Sequence, residues 1–391
     1  MNNATMKNIS DVCLSVCSGG TPSKKEETYY LNGTIPWLNT GEVNFNRIRK
    51  TENYITQKGL DNSSAKWVPE NTVIVAMYGA TASKCAIAKI PLTTNQACCN
   101  LIINNKLADY RFIYYSLKLR SKELASLANG GAQQNLNAGD IKNFEIKIPN
   151  LTTQTKIADA LSIFDDKIEN NNNLIKNLIE QSMSIWSLLF DESQYDDKKG
   201  WRKVFLSDIT ENIRERVNGR ELKVLSALNS GRLMPSEEYF TKQVFSKEID
   251  KYIVVRQNDF AYNPARINIG SIGINDLGFD GCVSPVYVVF RVENGYEHYF
   301  NIFIKTTRFK KEASNRSSGS VRQSLNYDDF GRIQISYPPI PIVDRFNEVY
   351  IPLLARINEL KQENVKLEQM RDALMQKIFN TDFDIDKIDL E

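Results

Sequence analysis

Two stretches of the chain carry the same long helical pattern of apolar positions. In the first, Ile157, Leu161, Phe164, Ile168, Asn171, Ile175, Leu178, Ser182, Ile185 and Leu189 follow one another by alternating steps of four and three. In the second, Phe346, Tyr350, Leu353, Ile357, Leu360, Asn364, Leu367, Arg371, Leu374 and Ile378 do the same. Eight of the ten positions are apolar in each. A seam of period 3.5 is a coiled-coil pattern. Apart from Pro352, neither span contains glycine or interior proline, and Pro352 predicts a kink or a helix start near 351.

The rest of the pattern has a shorter period. Runs of Val, Ile, Tyr and Phe punctuated by Gly, Pro, Asn and Asp predict strands at 72–77, 144–148, 286–292 and 333–337. Phe112, Ile113, Leu117, Leu124 and Leu127 predict a helix over 110–128.

The chain repeats itself at a constant offset of 189. Gly130, Gln134, Leu136, Asn137, Asp140, Ile146 and Pro149 meet Gly319, Gln323, Leu325, Asn326, Asp329, Ile335 and Pro338, seven identities in twenty positions, and Phe190 meets Phe379. This is an internal duplication. It predicts an α+β protein of two similar mixed domains, 1–150 and 193–340, each followed by a long helix, 151–192 and 341–380, with a tail at 381–391. If the helices pair antiparallel about a pseudo-twofold, seam position k meets position 11 − k, and Asn171 faces Asn364 as a register-fixing pair. The alternative is that each Asn interrupts an imperfect stripe.

Charge is sorted along these blocks. The net charge of +2 for the whole chain conceals +6 in 1–150, −4 in 151–200, +4 in 201–340 and −4 in 341–391. Basic domains with acidic spacers suit a nucleic-acid reader, although chance sorting would look similar. The acidic helix residues Asp159, Asp165, Asp166, Glu169, Glu359, Glu363 and Glu368 would face partner proteins or simply be solvated. No apolar run reaches 18 residues and no signal-peptide pattern opens the chain, so a cytoplasmic protein is expected.

Little catalytic chemistry is visible. The six cysteines lack metal spacing and read as core residues, and the one histidine, His298, sits in a polar, surface-like stretch. No GxxxxGK[ST] loop occurs, and Asn263-Pro264-Ala265-Arg266 lacks the second proline and the aromatic of a methyltransferase motif. A nuclease triad could be drawn through Asp140, Glu145 and Lys147, but the second copy keeps only Asp329, with Gln334 and Ser336 at the other places. Alternating strand polarity is the simpler account.

Several motifs together resemble the specificity subunit of type I restriction–modification systems. They are Gly19-Gly20-Thr21-Pro22-Ser23, the run Ile35 to Glu42, Val75 to Thr81, Gly130 to Asp140 and Gln154 to Asp165. The second half adds Ser318 to Asp329 and Arg371 to Phe379. The resemblance implies two DNA target-recognition domains joined by an antiparallel coiled coil and no catalytic residues of the chain's own. It further implies double-stranded DNA and two methylation subunits as partners. Those subunits would bind S-adenosylmethionine and modify adenine, with restriction subunits joining for cleavage. This chain would then hold no cofactor and no metal. A helix of about 36 residues would space the domains by roughly 54 Å, giving an asymmetric, bipartite, gapped target. The alternative is a protein-interaction scaffold that binds no nucleic acid.

DNA recognition needs cations for phosphate and planar donors or amides for base edges, carried on loops between strands. The candidates in the first half are Lys24, Lys25, Asn39, Tyr78, Lys84, Gln133, Gln134 and Asn135. In the second they are Asn229, Arg232, Asn263, Arg266, Asn268, Arg316, Arg322 and Gln323. Arg266 and Arg322 are the strongest candidates for guanine contacts. Gln134, Gln323, Asn137 and Asn326 recur between the halves and could equally be shared scaffold.

Overall fold

The computed structural model describes residues 4–128, 135–190, 200–229, 231–239, 245–246, 248–317 and 324–380. They divide into two compact units, residues 1–172 with 361–391 and residues 173–360. Each unit therefore holds one mixed α/β block and one half of each long helix.

The first unit is built on a five-stranded sheet in the order Cys13–Ser18, Cys98–Ile103, Val73–Ala76, Cys85–Ala88, Asn46–Ile48. A four-stranded sheet adds Asn53–Ile55, Ile35–Leu38, Leu92–Thr94 and Trp67–Val68, and Thr5–Asn8 pairs with Glu145–Ile148. Val73, Ile74, Val75 and Ala76 are all buried, as the unbroken apolar run from 73 to 77 requires of a strand covered on both faces. The helix expected over 110–128 is two, Tyr110–Leu119 and Ser121–Ser126. Arg120 makes the break: its guanidinium lies 4.3 Å from the Phe144 ring centroid and also bonds Glu123 and the Glu145 carbonyl.

Among the described residues, the second unit repeats the plan without a counterpart to the edge strand Asn46–Ile48, so its two main sheets have four strands each. One sheet runs Thr210–Ile213, Val288–Val292, Phe260–Tyr262, Ile272–Ile274 and the other Leu233–Pro235, Lys223–Ala227, Gly281–Val283, Ile253–Val255. Arg202–Phe205 pairs with Gln334–Tyr337. Ile35–Leu38 is parallel to Leu92–Thr94, and Lys223–Ala227 is likewise parallel to Gly281–Val283.

Both long helices form, Leu151–Phe190 and Ile340–Asn380. No helix start falls near 351, because the C-terminal helix continues through Pro352. A proline inside a helix costs about 3 kcal/mol, opposed here by seam side chains on both sides of it, with Tyr350 and Ile357 buried. All twenty seam positions are buried or half-buried. In the first unit the start of the central helix lies antiparallel to the end of the C-terminal helix, with Ile157 and Ile378 in one apolar cluster. In the second, the Phe190 and Phe346 rings meet edge-on at 5.5 Å.

Most of the acidic helix residues are occupied inside their own unit. Asp159 takes Arg111 at 2.6 Å and Asp165 takes Arg371 at 2.5 Å, while Asp166 and Glu169 take Arg47 and Arg49. Glu363 is bonded by Asn171 and Lys167, and Glu359 by Arg356. The strand Asn46–Ile48 is thus clamped onto the central helix, while Asp166, Glu359 and Glu368 remain exposed.

Two smaller expectations resolve differently. Four of the six cysteines are buried and two half-buried, all unpaired, and burial pushes the Cys99 thiol up to about 12. His298 is not a surface residue. It lies in the helix Glu297–Phe303 against the Tyr350 ring at 5.4 Å, and burial lowers its pKa.

Candidate nucleic-acid interface

In the first unit, the hairpin Val73–Ala76/Cys85–Ala88 projects the loop 77–84. Gly79 at φ +80° and Ser83 at φ +68° turn the chain back, so that Ser83 N donates to Ala76 O at 2.9 Å. Three other segments gather around this loop. Thr81 Oγ1 donates to Thr40 O (2.8 Å), and Lys84 Nζ donates to Asn44 Oδ1 (2.8 Å). Met77 N donates to Ala97 O (2.8 Å), and Leu136 N to Met77 O (3.0 Å). Asn39 is held on this rim by Asn95 Nδ2, which donates to its Oδ1 at 3.3 Å.

Asn39, Tyr78, Lys84 and Asn135 are therefore brought together. Tyr78 and Asn135 are exposed, and Lys84 and Asn39 half-buried. Lys24 and Lys25 stand exposed on the next segment, which is tied to the rim by the Thr21–Gln96 bond. Gln133 and Gln134 lie outside the described residues. Sequence reasoning did not single out Asn44 and Asn95, whose roles exist only because distant loops meet.

The second unit builds an equivalent rim with different side chains. The hairpin Phe260–Tyr262/Ile272–Ile274 carries the loop 263–271, and Leu325 N donates to Pro264 O at 3.0 Å, as Leu136 N does to Met77 O. The turn joining Lys223–Ala227 to Leu233–Pro235 packs beside it. A Cβ on Gly270 (φ +88°) would stand 2.8 Å from Asn229 O, so only glycine permits this approach. Asn229, Arg232, Arg266 and Asn268 are exposed on the rim, and the half-buried Asn263 accepts from Ala265 N at 3.1 Å. Arg316 sits on the helix Thr307–Ser317, its Nε 3.5 Å from Glu312. Arg322 and Gln323 lie outside the described residues.

Asn137 and Asn326 serve the scaffold. Each side chain accepts from the amide three residues on, Asp140 N at 2.9 Å and Asp329 N at 2.8 Å, capping a short helix. Asp140 returns the bond to Asn137 N, while Glu145 and Lys147 occupy the outward face of a strand whose other face is buried. The three groups thus have structural places in the fold. Among the described residues no group of three His, Cys, Asp or Glu side chains could hold a metal ion, and no helix is long and apolar enough to cross a membrane.

Comparison with known proteins agrees with this architecture. Residues 1–181 match the family model of the type I restriction modification DNA specificity domain. The chain is 28% identical to the type I restriction enzyme MjaIX specificity subunit of Methanocaldococcus jannaschii, over 95% of this chain and 92% of that one. It is 24% identical to a putative type I specificity subunit of Mycoplasma genitalium over 79% of this chain and 81% of the relative. In fold it is similar to the crystal structure of a type I restriction–modification S subunit from M. genitalium, with a TM-score of 0.58, 19% identity and 98% of each chain covered. Residues 1–181 thus carry the type I restriction modification DNA specificity domain, and the chain over nearly its whole length is similar in sequence to type I specificity subunits.

Proposed function

We propose that this chain reads DNA sequence for a type I restriction–modification complex and performs no reaction itself. One observation carries the proposal: both units present a rim of loops on the same hairpin frame, but with different polar side chains. Asn39, Tyr78, Lys84 and Asn135 in one stand where Asn229, Arg232, Asn263, Arg266 and Asn268 stand in the other. A shared frame with divergent tips is what two readers of different sequences require, since base edges are distinguished by the donors and acceptors offered to them. Each unit would read one part of an asymmetric, bipartite, gapped target, and linking two modest grips makes one avid site.

The partners in this proposal are double-stranded DNA, two methylation subunits docking on the helices, and restriction subunits for cleavage. S-adenosylmethionine would be held by the methylation subunits, which modify adenine, and the assembly would work in the cytoplasm. The test is methylation mapping of genomic DNA from cells expressing the chain with its neighbouring methyltransferase, with and without Arg266→Ala. A gapped adenine motif whose one part relaxes in the variant supports the proposal. The absence of any motif, with partner binding intact, overturns it.

A further inference from the structure

We propose that a cationic pocket in the second unit, formed around Arg214, Arg216 and Lys251, seats phosphates of the DNA backbone and so sets where that unit sits on the duplex. The inference rests on the DNA-reading function above and adds residues that no motif marked.

The pocket follows from local geometry. After the edge strand Thr210–Ile213 the chain stays extended beside 252–254. Arg216 bridges Ile253, Val217 N donates to Tyr252 O at 3.0 Å, and Val254 N donates to Glu215 O at 2.8 Å. Alternation along extended chain places Arg214 and Arg216 on one face and Glu215 on the other. There Glu215 accepts from Arg220 at 2.9 Å and Arg256 at 2.8 Å, and these bonds, that to Arg220 foremost, hold its carboxyl below the ordinary range. The acid of this run is thereby spent on the opposite face.

What remains is a concavity of about 350 Å³ whose lining includes Arg214, Arg216, Lys251, Tyr287 and Tyr327 and no Asp or Glu. All three cations are exposed, and none has a carboxylate partner among the described residues. Two of the neighbours are fixed. Tyr327 donates its hydroxyl to Thr210 O at 2.8 Å, and the Asn212 oxygen, turned toward Arg214, accepts from its Nε at 3.3 Å and Nη2 at 3.1 Å. Three like charges gathered without a counterion favour an anion, and guanidinium forks suit phosphate oxygens. The pocket also adjoins the reading rim, because Asn326, which lines it, follows the residue whose amide bonds Pro264 O.

Among the described residues, the first unit does not repeat this arrangement at the equivalent place. The chain leaving its equivalent strand is Gly19-Gly20-Thr21, whose glycine amides donate to Cys98 O and Thr94 O. The second unit would therefore carry a backbone grip that the first does not have in this place.

The experiment titrates the chain, assembled with its methylation partner, against a duplex carrying the methylated motif and a duplex with that motif scrambled, across salt from about 50 to 200 mM. With Arg214→Gln and Arg216→Gln combined, both Kd values should rise by the same factor. The slope of log affinity on log salt should shrink by about 2, and the methylated motif should be unchanged. Lys251→Gln alone should shrink the slope by about 1, which keeps the test open should the double variant fold poorly. Unchanged affinity and slope overturn the seat, as does a changed motif, which would mean base reading. If the unsubstituted complex binds neither duplex, the DNA-reading function itself fails and the seat falls with it. If it binds and the variants bind alike, only the seat fails.

Discussion

Asn171 and Asn364 face each other across the paired helices of the first unit, the Asn171 carboxamide donating to Asn364 Oδ1 at 2.9 Å. Asn364 in turn donates to Asn172 Oδ1 at 2.9 Å, and Asn171 also reaches Glu363 at 3.0 Å. Both side chains are buried, at 2% and 8% exposure. Asn–Asn contacts in a seam cost stability and reject other registers, since any slip leaves the amides facing apolar positions. Asn171→Leu alone should destabilise by about 1–3 kcal/mol by leaving the buried Asn364 Oδ1 without its donor. The double change to leucine should raise the urea midpoint above that of the single variant. A single variant as stable as the parent sinks this account.

A second polar contact in that seam is an ion pair. Arg371 donates to Asp165 at 2.5 Å, Asp165 also accepts from Tyr115 at 2.7 Å, and the two charged side chains are 9% and 14% exposed. At the positions 189 residues away the second unit has Ser182 and Leu354, so this device belongs to one unit only. Arg371→Leu should cost about 3–5 kcal/mol, because it leaves a carboxylate buried without its cation. Adding Asp165→Leu should restore most of the loss. Equal urea midpoints for the single and double variants would contradict the pairing.

The clamp of the strand Asn46–Ile48 on the central helix depends on pH. Glu169 accepts from Arg49 first and Arg47 second, and these bonds hold its carboxyl below the ordinary value of 4.5. A carboxyl depressed on folding adds stability that is present above its unfolded pKa and lost as pH falls through the folded one. The parent should therefore exceed Glu169→Gln in stability at pH 7, with the gap closing below about 4.5. The measurement is thermal unfolding of both proteins from pH 7 to pH 3, and a gap independent of pH refutes the clamp.

Gly270 allows two loop segments of the second unit's rim to touch. At φ +88°, and with Asn229 O only 2.8 Å from where a Cβ would stand, Gly270→Ala must both strain the backbone and push the 229 turn away. The expected cost is about 1–3 kcal/mol. In methylation mapping, one part of the target should degrade while the other is read as before. Loss of both parts together would mean that the substitution acts on the whole assembly and not on one rim.

Much of this molecule is legible in its sequence because the relevant signals are local or repeated. The seam residues from Ile157 to Leu189 and from Phe346 to Ile378 announce their helices by period alone, since a helix brings every third and fourth residue to one face whatever surrounds it. The offset of 189 announces two similar units, and fully apolar runs such as Val73–Ala76 announce buried strands. The exposed candidates Tyr78, Arg232 and Arg266 were recognisable as polar residues in Gly- and Asn-rich loops.

Tertiary structure alone decided the rest. Asn44, Asn95 and Gly270 matter through partners 40, 56 and 41 residues away in sequence, and no period records such meetings. Arg47 and Arg49 belong to a basic block, yet the helix acids Asp166 and Glu169 claim them. Glu215 could have cancelled Arg214 and Arg216, yet strand alternation turns it to the opposite face. Charge and hydrogen bonding act through space over a few ångströms, so the fate of each polar side chain depends on which distant segment folds against it. Apolar periodicity needs only the chain's own helix or strand geometry, and that is why the sequence by itself specified the two-unit, two-helix plan while the interface took shape only in three dimensions.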